Sequence, residues 1–223
     1  MTHTVRIWDL PTRIFHWSLA CCVVGLVITA NVGGNAMVWH FRLGYAVLTL
    51  LLFRVAWGFL GGRWSRFSSF LYAPRTVLRY LRGDVRADHK IGHNPLGALS
   101  VLGLLFFLFV QVGSGLVSDD EIAAAGPLTA LVSNDTVANA TWYHKDIGAW
   151  VLIAMVALHV LAILFYTFLK KEPLVRPMLG GDKQVTAPSV PASRDDAVSR
   201  IGALALLMAC AAAVRWIVQL GGG

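Results

Sequence analysis

The sequence is poor in cysteine, and this scarcity limits the cofactors that it can attach. Its 3 cysteines are Cys21, Cys22 and Cys210, and they form neither a CxxCH haem-attachment motif nor a metal-type spacing. Adjacent cysteines do not readily bridge each other, so we interpret all three as small apolar helix residues. Any haem bound by this chain is therefore expected to be non-covalent.

Charge is also scarce, because only 14% of the residues are charged and 57% are hydrophobic. Five apolar runs reach the length of about 20 residues that crosses the hydrocarbon core of a bilayer. No carboxylate lies in any run, which argues against a metal-ion transporter that relays ions through histidines and acidic groups. The connections are short, so we expect one membrane domain. The runs cover residues 14–31, 41–60, 96–117, 147–169 and 201–220.

The net charge of +7 follows a topological pattern rather than a nucleic-acid-binding one. Basic residues crowd the link between the second and third runs and the segment after the fourth run. The link between the third and fourth runs is acidic. The positive-inside rule then predicts a cytoplasmic N-terminus and an external C-terminus, and no nucleic-acid partner is expected. The acidic residues of the external link are Asp119, Asp120, Glu121, Asp135 and Asp146.

Two segments outside the apolar runs have sequences that predict their structure, one as a linker and the other as a short helix. Residues 182–200 are polar and contain Pro188 and Pro191, which predicts a flexible cytoplasmic linker. The stretch from Pro74 to Leu81 predicts a short helix that ends before Gly83 and lies on the inner membrane surface. Its arginines would face lipid phosphates, and a partner-docking surface is the alternative.

Four histidines near the ends of the apolar runs are the strongest functional signal. His144 and His159 are fifteen residues apart, which is about 22 Å along a helix and about 60° out of register, so both can face one bundle interior. Polar groups at such positions are costly in a membrane and usually functional. Neutral imidazole suits both axial positions of a porphyrin iron, so His16, His40, His144 and His159 predict two closed, electron-carrying haems. The alternative is that some of these imidazoles lie among the lipid headgroups.

Membrane depth predicts the pairing of these histidines. His16 and His159 are expected near the cytoplasmic face, and His40 and His144 near the external face. Each pair joins two different helices, as a cofactor site in a bundle core requires. His159 lies deepest in an apolar run and is the best single candidate.

Two further residues are candidates for cofactor or substrate contacts. Arg54 follows His40 by fourteen residues inside the second run, and a haem propionate would satisfy a buried guanidinium; a snorkelling arginine is the alternative. His93, just before the third run, is a candidate for a quinone or propionate contact, or is simply a helix-start residue.

Four remaining polar residues are given no functional role from the sequence. We expect His3 and His89 to be solvated. We expect Gln111 and Ser114, within the third run, to serve helix packing.

The order and spacing of several segments resemble the bacterial cytochrome b561 family, which includes the b-type cytochrome subunit of nickel-iron hydrogenases. The resemblance covers about residues 5–185. It rests on residues 5–17, 40–45, 53–59, 92–97, 158–160 and 172–178.

This resemblance implies an all-α integral membrane helix bundle with a four-helix haem-binding core and a fifth, C-terminal transmembrane helix. The domains would be a haem domain over 1–181, a linker over 182–200 and the added helix over 201–223. In similar proteins the two histidines of the fourth span are fourteen residues apart rather than fifteen. Fourteen residues place the second histidine at about −40° and fifteen at about +60°. Either a π-bulge absorbs the extra residue or His144 is a weaker ligand.

The implied function is that of a dihaem b-type cytochrome of the bacterial inner membrane. It would transfer electrons between ubiquinone or menaquinone and an external partner such as a periplasmic c-type cytochrome. Two alternatives share the fold: a superoxide–quinone oxidoreductase, and a cytochrome subunit that anchors a hydrogenase or another dehydrogenase. The sequence leaves open whether the chain is an enzyme with quinone oxidoreductase activity or only an electron carrier.

Overall fold

The computed structural model describes residues 2–86, 89, 91–120, 124–186 and 189–221. Glu121 and Pro188, which enter the charge and linker predictions, lie outside the described residues. The strands are β1 (His3–Arg6) and β2 (Asp182–Val185). The helices are α1 (Leu10–Val32), α2 (Met37–Leu60), α3 (Pro74–Leu81), α4 (Pro95–Leu116), α5 (Asn134–Trp142), α6 (Ala149–Leu164), α7 (Val175–Gly180) and α8 (Ala197–Gln219).

The expected membrane helices are confirmed, since the described residues contain 5 helices that are long and apolar enough to cross a bilayer. Large apolar side chains on them are strongly exposed, including Phe59 and Leu158 at 68% and Phe168 at 70%. Such exposure is unfavourable in water and is expected of a surface that contacts lipid. The fold is therefore an all-α membrane fold.

The fourth membrane helix begins much earlier than its apolar run. It is continuous over Asn134–Leu169, a length of 36 residues, or about 54 Å, which exceeds the thickness of the hydrocarbon core. Its start is fixed by Ser133, whose hydroxyl accepts a hydrogen bond from the Thr136 backbone N–H at 3.3 Å. The polar sequence of α5 hid this extension, because hydropathy detects only the part of the helix that the membrane surrounds.

The short helix predicted in the basic link is present as α3, with the expected bounds. Gly83, in the left-handed region with a φ of +94°, ends it. The backbone N–H groups of Gly83 and Asp84 donate to the carbonyls of Tyr80 and Arg79, each at 3.0 Å. The helix leaves Leu78 and Leu81 exposed, as expected of a helix that lies in a membrane interface.

The chain forms two compact units, the first built from residues 1–15, 54–103 and 158–204. In this unit β1 pairs antiparallel with β2, with His3 opposite Val185 and Arg6 opposite Asp182. The sheet covers a small apolar core around Ile7 and Trp8.

The segment over residues 182–200 was predicted to be a flexible linker, but it forms hydrogen bonds with distant parts of the chain. It contains β2, and Ser193 donates from its backbone N–H to the Arg6 carbonyl at 2.7 Å. The Ser193 hydroxyl donates to the Ile7 carbonyl at 2.6 Å, and the Trp64 indole N–H donates to Pro191 at 2.9 Å. The partners lie more than a hundred residues away in sequence, so the local polar composition could not reveal them.

Asp195 links the same segment to residues near the N-terminus through an ion pair and hydrogen bonds. Its carboxylate accepts hydrogen bonds from Arg6 at 2.7 Å, from Arg200 at 3.0 Å and from the Leu10 backbone N–H at 3.1 Å. Burial by itself would raise the pKa of Asp195, but the bonds from Arg200 and Leu10 outweigh it and hold that pKa below its usual value.

The second unit consists of residues 16–53, 104–157 and 205–223. Within it α1 and α2 approach closely at Gly25, where a Cβ atom would lie 2.8 Å from Leu43 Cδ1. The connection after α4 is closed by backbone bonds, with Gly126 donating to Ser118 at 2.7 Å and Leu128 donating to Leu116 at 2.9 Å. These contacts hold the ends of the helices that carry the candidate site.

Candidate functional site

The structure brings together one of the two predicted histidine pairs. His40, in the first turn of α2, and His144, between α5 and α6, belong to the same unit. Their ring centres are 6.2 Å apart and their planes are nearly perpendicular, at 85°. Two imidazoles bound on opposite sides of one metal ion, with metal–nitrogen bonds of about 2 Å, have ring centres about 6 Å apart. The separation therefore fits two axial ligands of one iron.

Hydrogen bonds fix the tautomer of both rings. His40 Nδ1 lies 3.1 Å from the Leu26 carbonyl oxygen, and His144 Nδ1 lies 2.9 Å from the Gln111 carbonyl oxygen. A carbonyl oxygen only accepts, so in each ring Nδ1 carries the proton and donates. Each Nε2 consequently keeps its lone pair, which is the state that a metal-binding imidazole requires.

Glycines leave space around this pair. At Gly115, in α4, a Cβ atom would lie 2.8 Å from His144 Cε1, so only glycine lets the ring adopt its position. At Gly44, one turn after His40, no described heavy atom apart from its chain neighbours and the backbone of its own helix lies within 4 Å of where a Cβ would be. The space beside His40 and the 6.2 Å separation of the two rings together fit a planar macrocycle bound between them.

A π-helical turn over Tyr143–Gly148 interrupts the long fourth helix at His144. A π-turn contains one more residue than the α-helical turn that it replaces. It therefore accommodates the extra residue in the spacing between His144 and His159. This is the first of the two alternatives that the sequence offered. Gly148 permits the close approach of Gln111 to this turn, because a Cβ atom there would contact the Gln111 side-chain oxygen.

Each histidine of the other predicted pair, His16 and His159, contacts a neighbouring side chain. His159 is half-buried in α6, and its Nδ1 lies 3.2 Å from the Ser100 hydroxyl, which can accept from an Nδ1–H. The His16 ring, in α1, packs edge-on against Trp17 with ring centres 5.1 Å apart. The pairing of His16 with His159 stays a prediction.

Arg54 is buried rather than snorkelling, with 3% of its surface exposed. Its guanidinium carbon lies 4.9 Å from the centre of the Phe67 ring and 6.0 Å from that of Phe70. Among the described residues, its Nη1 atom has no hydrogen-bond partner. A buried guanidinium with an unsatisfied donor fits an anionic group such as a haem propionate.

Asp9 lies near this guanidinium and was not identified from the sequence. It is completely buried and accepts hydrogen bonds from the Ser65 hydroxyl at 2.7 Å and the Thr12 backbone N–H at 2.8 Å. It also accepts from the Gly62 N–H at 3.1 Å and from the Trp57 indole at 3.2 Å. Asp9 is therefore a buried anion that partly compensates the charge of Arg54.

His93 lies between two aromatic rings in the first unit. Its ring centre is 4.7 Å from that of Trp8 and 4.5 Å from that of Phe70. Its carbonyl accepts a hydrogen bond from the Tyr72 hydroxyl at 2.9 Å. A role in quinone or propionate binding stays a prediction.

The expectation that His89 is solvated is wrong, because only 4% of its surface is exposed. The Arg86 backbone N–H donates to its Nδ1 at 3.3 Å. Its ring packs edge-on against Tyr72 and Tyr80, with centres 5.4 Å and 5.5 Å away. The charged neighbours of His89 in sequence predicted exposure, whereas residues more distant in sequence bury it.

Gln111 and Ser114 do more than pack helices. Besides accepting from His144 through its carbonyl, Gln111 donates from its side-chain amide to the His144 carbonyl at 3.0 Å. The Ser114 hydroxyl lies 3.3 Å from His144 Nδ1, and Thr29 stands at the same distance from His40 Nδ1. The available signal was the spacing of Gln111 and Ser114, which places two polar groups on one face of an apolar helix.

Comparison with known proteins identifies the family. Residues 7–181 match the family model described as prokaryotic cytochrome b561. The chain belongs to the prokaryotic cytochrome b561 family. This cytochrome is therefore a multi-pass membrane protein that binds haem b and transfers electrons.

Individual relatives of the cytochrome are distant but match most of its length. A protein of Azotobacter chroococcum named "Probable Ni/Fe-hydrogenase B-type cytochrome subunit" is 27% identical, over 79% of this chain and 87% of its own. One of the same name from Bradyrhizobium diazoefficiens is 24% identical, over 81% and 86%. The "Probable Ni/Fe-hydrogenase 1 B-type cytochrome subunit" of Escherichia coli K12 is 24% identical, over 78% and 88%. No solved structure matches the cytochrome significantly.

Proposed function

We propose that this cytochrome holds two non-covalent haems b and passes electrons between a lipid-soluble quinone and an external redox partner. The observation that carries the proposal is the geometry of His40 and His144. Their ring centres are 6.2 Å apart, and carbonyl acceptors at 3.1 Å and 2.9 Å fix both Nδ1 protons. Haem b supplies an iron that cycles between its ferrous and ferric states.

The protein's part at this site is to hold two ligands rigidly. The carbonyls of Leu26 and Gln111 orient the rings of His40 and His144 and raise the basicity of each Nε2. With both histidines as ligands, a haem iron bound here would have no position left for a substrate. Such a site favours electron transfer over oxygen activation.

The second haem is assigned to His16 and His159, a pairing that rests on the predicted depths of these residues in the membrane. The Ser100 hydroxyl at 3.2 Å supports His159 as a ligand, since it can accept the Nδ1 proton. Arg54 would bind a propionate through Nη1, the buried donor that has no partner among the described residues. Asp9 limits the cost of keeping that guanidinium buried.

The quinone, ubiquinone or menaquinone, would exchange electrons on the cytoplasmic side near His93, and the N-terminus would lie on that side. The support is the distribution of basic residues in the sequence, which follows the positive-inside rule. The aromatic rings of Trp8 and Phe70 around His93 offer stacking surfaces for a flat headgroup.

The external partner is a dehydrogenase subunit or a c-type cytochrome. The relatives named as hydrogenase cytochrome subunits favour the first, and they make a membrane-bound hydrogenase the leading candidate. Co-purification from native membranes should yield that enzyme, and hydrogen should then reduce the haems. Reduction by a c-type cytochrome alone would favour the second partner, and reduction by superoxide alone would favour the oxidoreductase alternative.

The direct test of the haem assignment is the haem content of purified variants. The wild type should contain two low-spin b haems per chain by its reduced-minus-oxidised spectrum. His40→Ala and His144→Ala should each lose the same haem, and the double variant should lose no more. His159→Ala and His16→Ala should both lose the other haem. Unchanged haem content in either of the first two variants would contradict the assignment.

A further inference from the structure

A pair of tyrosine hydroxyls in the first unit has hydrogen-bonding capacity that the described protein does not use. Tyr80, in α3, and Tyr166, in the π-helical turn Phe165–Leu169 that follows α6, place their hydroxyl oxygens 3.0 Å apart. Within the part of the chain that the structure describes, these hydroxyls have only each other as hydrogen-bond partners. One O–H donates to the other, so one proton of the pair remains available to an acceptor.

The pair lies close to the proposed electron path. Tyr166 follows His159 by seven residues, which is about two helical turns on the same face, or about 10 Å along the helix. Both residues belong to the first unit. A ligand bound at the two hydroxyls would therefore lie within electron-transfer reach of a haem on His159.

The surroundings combine the Glu172 carboxylate, which acts on the Tyr80 hydroxyl, with apolar side chains that are open to lipid. The neighbours of the pair in sequence include Leu78 at 55% exposure and Phe168 at 70% exposure. A ligand dissolved in the bilayer can approach such a surface without crossing water. Burial, with the bond to Tyr166, raises the pKa of Tyr80, so its hydroxyl stays protonated and remains a donor at neutral pH.

The ring of Tyr80 is held in place from the other side. His89 is buried and packs edge-on against the rings of both Tyr72 and Tyr80. The Thr167 hydroxyl, next to Tyr166, is buried and has no hydrogen-bond partner among the described residues. The site therefore offers O–H donors in a half-buried setting beside exposed apolar side chains.

We propose that the Tyr80–Tyr166 hydroxyl pair is a headgroup site for the quinone and donates a hydrogen bond to one of its carbonyl oxygens. A quinone carbonyl accepts hydrogen bonds and has no proton to donate, which matches the donor that the pair leaves available. The ring and tail of a quinone are apolar, which matches the exposed leucines and phenylalanines. This inference rests on the proposed function, because it locates the quinone that the function requires, and it places the headgroup at the tyrosine pair instead of at the rings around His93.

The test is equilibrium binding of decylubiquinone to the haem-loaded protein in phospholipid nanodiscs. Tyr80→Phe combined with Tyr166→Phe should weaken binding about fivefold, the worth of one neutral hydrogen bond. Each single variant should lose less, because the remaining hydroxyl can still donate. Tyr45→Phe, which removes a phenol hydroxyl from α2, is the matched control and should bind like the wild type.

Infrared spectra of the bound quinone supply a readout that a merely structural role of the pair would not move. Hydrogen bonding lowers the carbonyl stretching frequency, so the double variant should show a frequency closer to that of free quinone. Haem content and reduction by dithionite should be unchanged in all variants. If the double variant loses haem, the two single variants carry the test: each should shift the carbonyl band part of the way towards free quinone, because the remaining hydroxyl no longer has its partner, and an unchanged band in both would overturn the site.

The outcomes separate this inference from the function on which it rests. A wild type that binds the quinone while the double variant keeps the same affinity and carbonyl frequency would overturn the site and leave the function standing. A wild type that neither binds the quinone nor exchanges electrons with its quinol would overturn both.

Discussion

The π-helical turn over Tyr143–Gly148 makes a sharp prediction about chain length between His144 and His159. Deleting Asp146, an exposed residue of the turn, should let the helix close as a regular α-helix. Inserting one alanine after Asp146 should instead require a second π-turn. The two variants differ from the wild type by one residue in opposite directions at the same position.

The size of the effect follows from helix geometry. In a regular α-helix the spacing of fourteen that the deletion creates corresponds to about −40°, and a π-turn, which adds one residue to an α-helical turn, gives a spacing of fifteen nearly the same angle. The insertion would turn His144 by about 100°. A ring centre about 5 Å from the helix axis then moves about 8 Å, which is far beyond a metal–nitrogen bond of about 2 Å.

The assay is the number of haems per polypeptide in the purified protein. The deletion should keep the wild-type haem content, and the insertion should lose the haem assigned to His40 and His144. An alanine inserted after Ala138, upstream of His144, leaves the spacing unchanged and serves as the control. Loss of a haem in the deletion together with its retention in the insertion would refute the reasoning.

Three other substitutions test contacts of single residues. Gly115→Ala should displace the His144 ring and lower haem content, because the new Cβ would lie 2.8 Å from Cε1, whereas Gly202→Ala, with open space around it, should not. Asp9→Ala should lower the free energy of unfolding by roughly 3 kcal/mol, because four donors and a buried guanidinium lose their anion, and thermal unfolding in detergent should detect this. Asp195→Asn should cost about 1 kcal/mol at pH 7, discounted for the partial exposure of its arginine partners. Because the pKa of Asp195 is held low, its contribution is fully present above about pH 4 and is lost as the pH falls through the folded pKa, so the difference in stability between the variant and the wild type should shrink as the pH falls below that range.

Several features of the fold follow from sequence alone, because their causes are local. A membrane helix needs about 20 consecutive apolar residues, and a run of that length can be counted directly. The bounds of α3 follow in the same way, since Pro74 suits the first turn and Gly83 suits the left-handed position after the last. The candidate ligands could be identified because histidine is unusual inside an apolar run.

Tertiary structure alone decided the features whose causes are distant in the chain. The pairing of β1 with β2 joins residues about 180 positions apart, so the polar composition of β2 indicated a linker. His89 is buried by the rings of Tyr72 and Tyr80, although charged residues surround it in sequence. The carbonyl acceptor for His144 comes from Gln111 on another helix.

The sequence by itself therefore determined that this protein is a membrane helix bundle and which residue types could hold its cofactor. Hydropathy and the rarity of histidine in apolar segments are properties of single stretches of chain. The structure decided which atoms meet: the carbonyls that accept from Nδ1 of His40 and His144, the buried Arg54 whose Nη1 has no partner among the described residues, and the π-turn at His144. Each of these depends on packing between segments, and no local pattern encodes it.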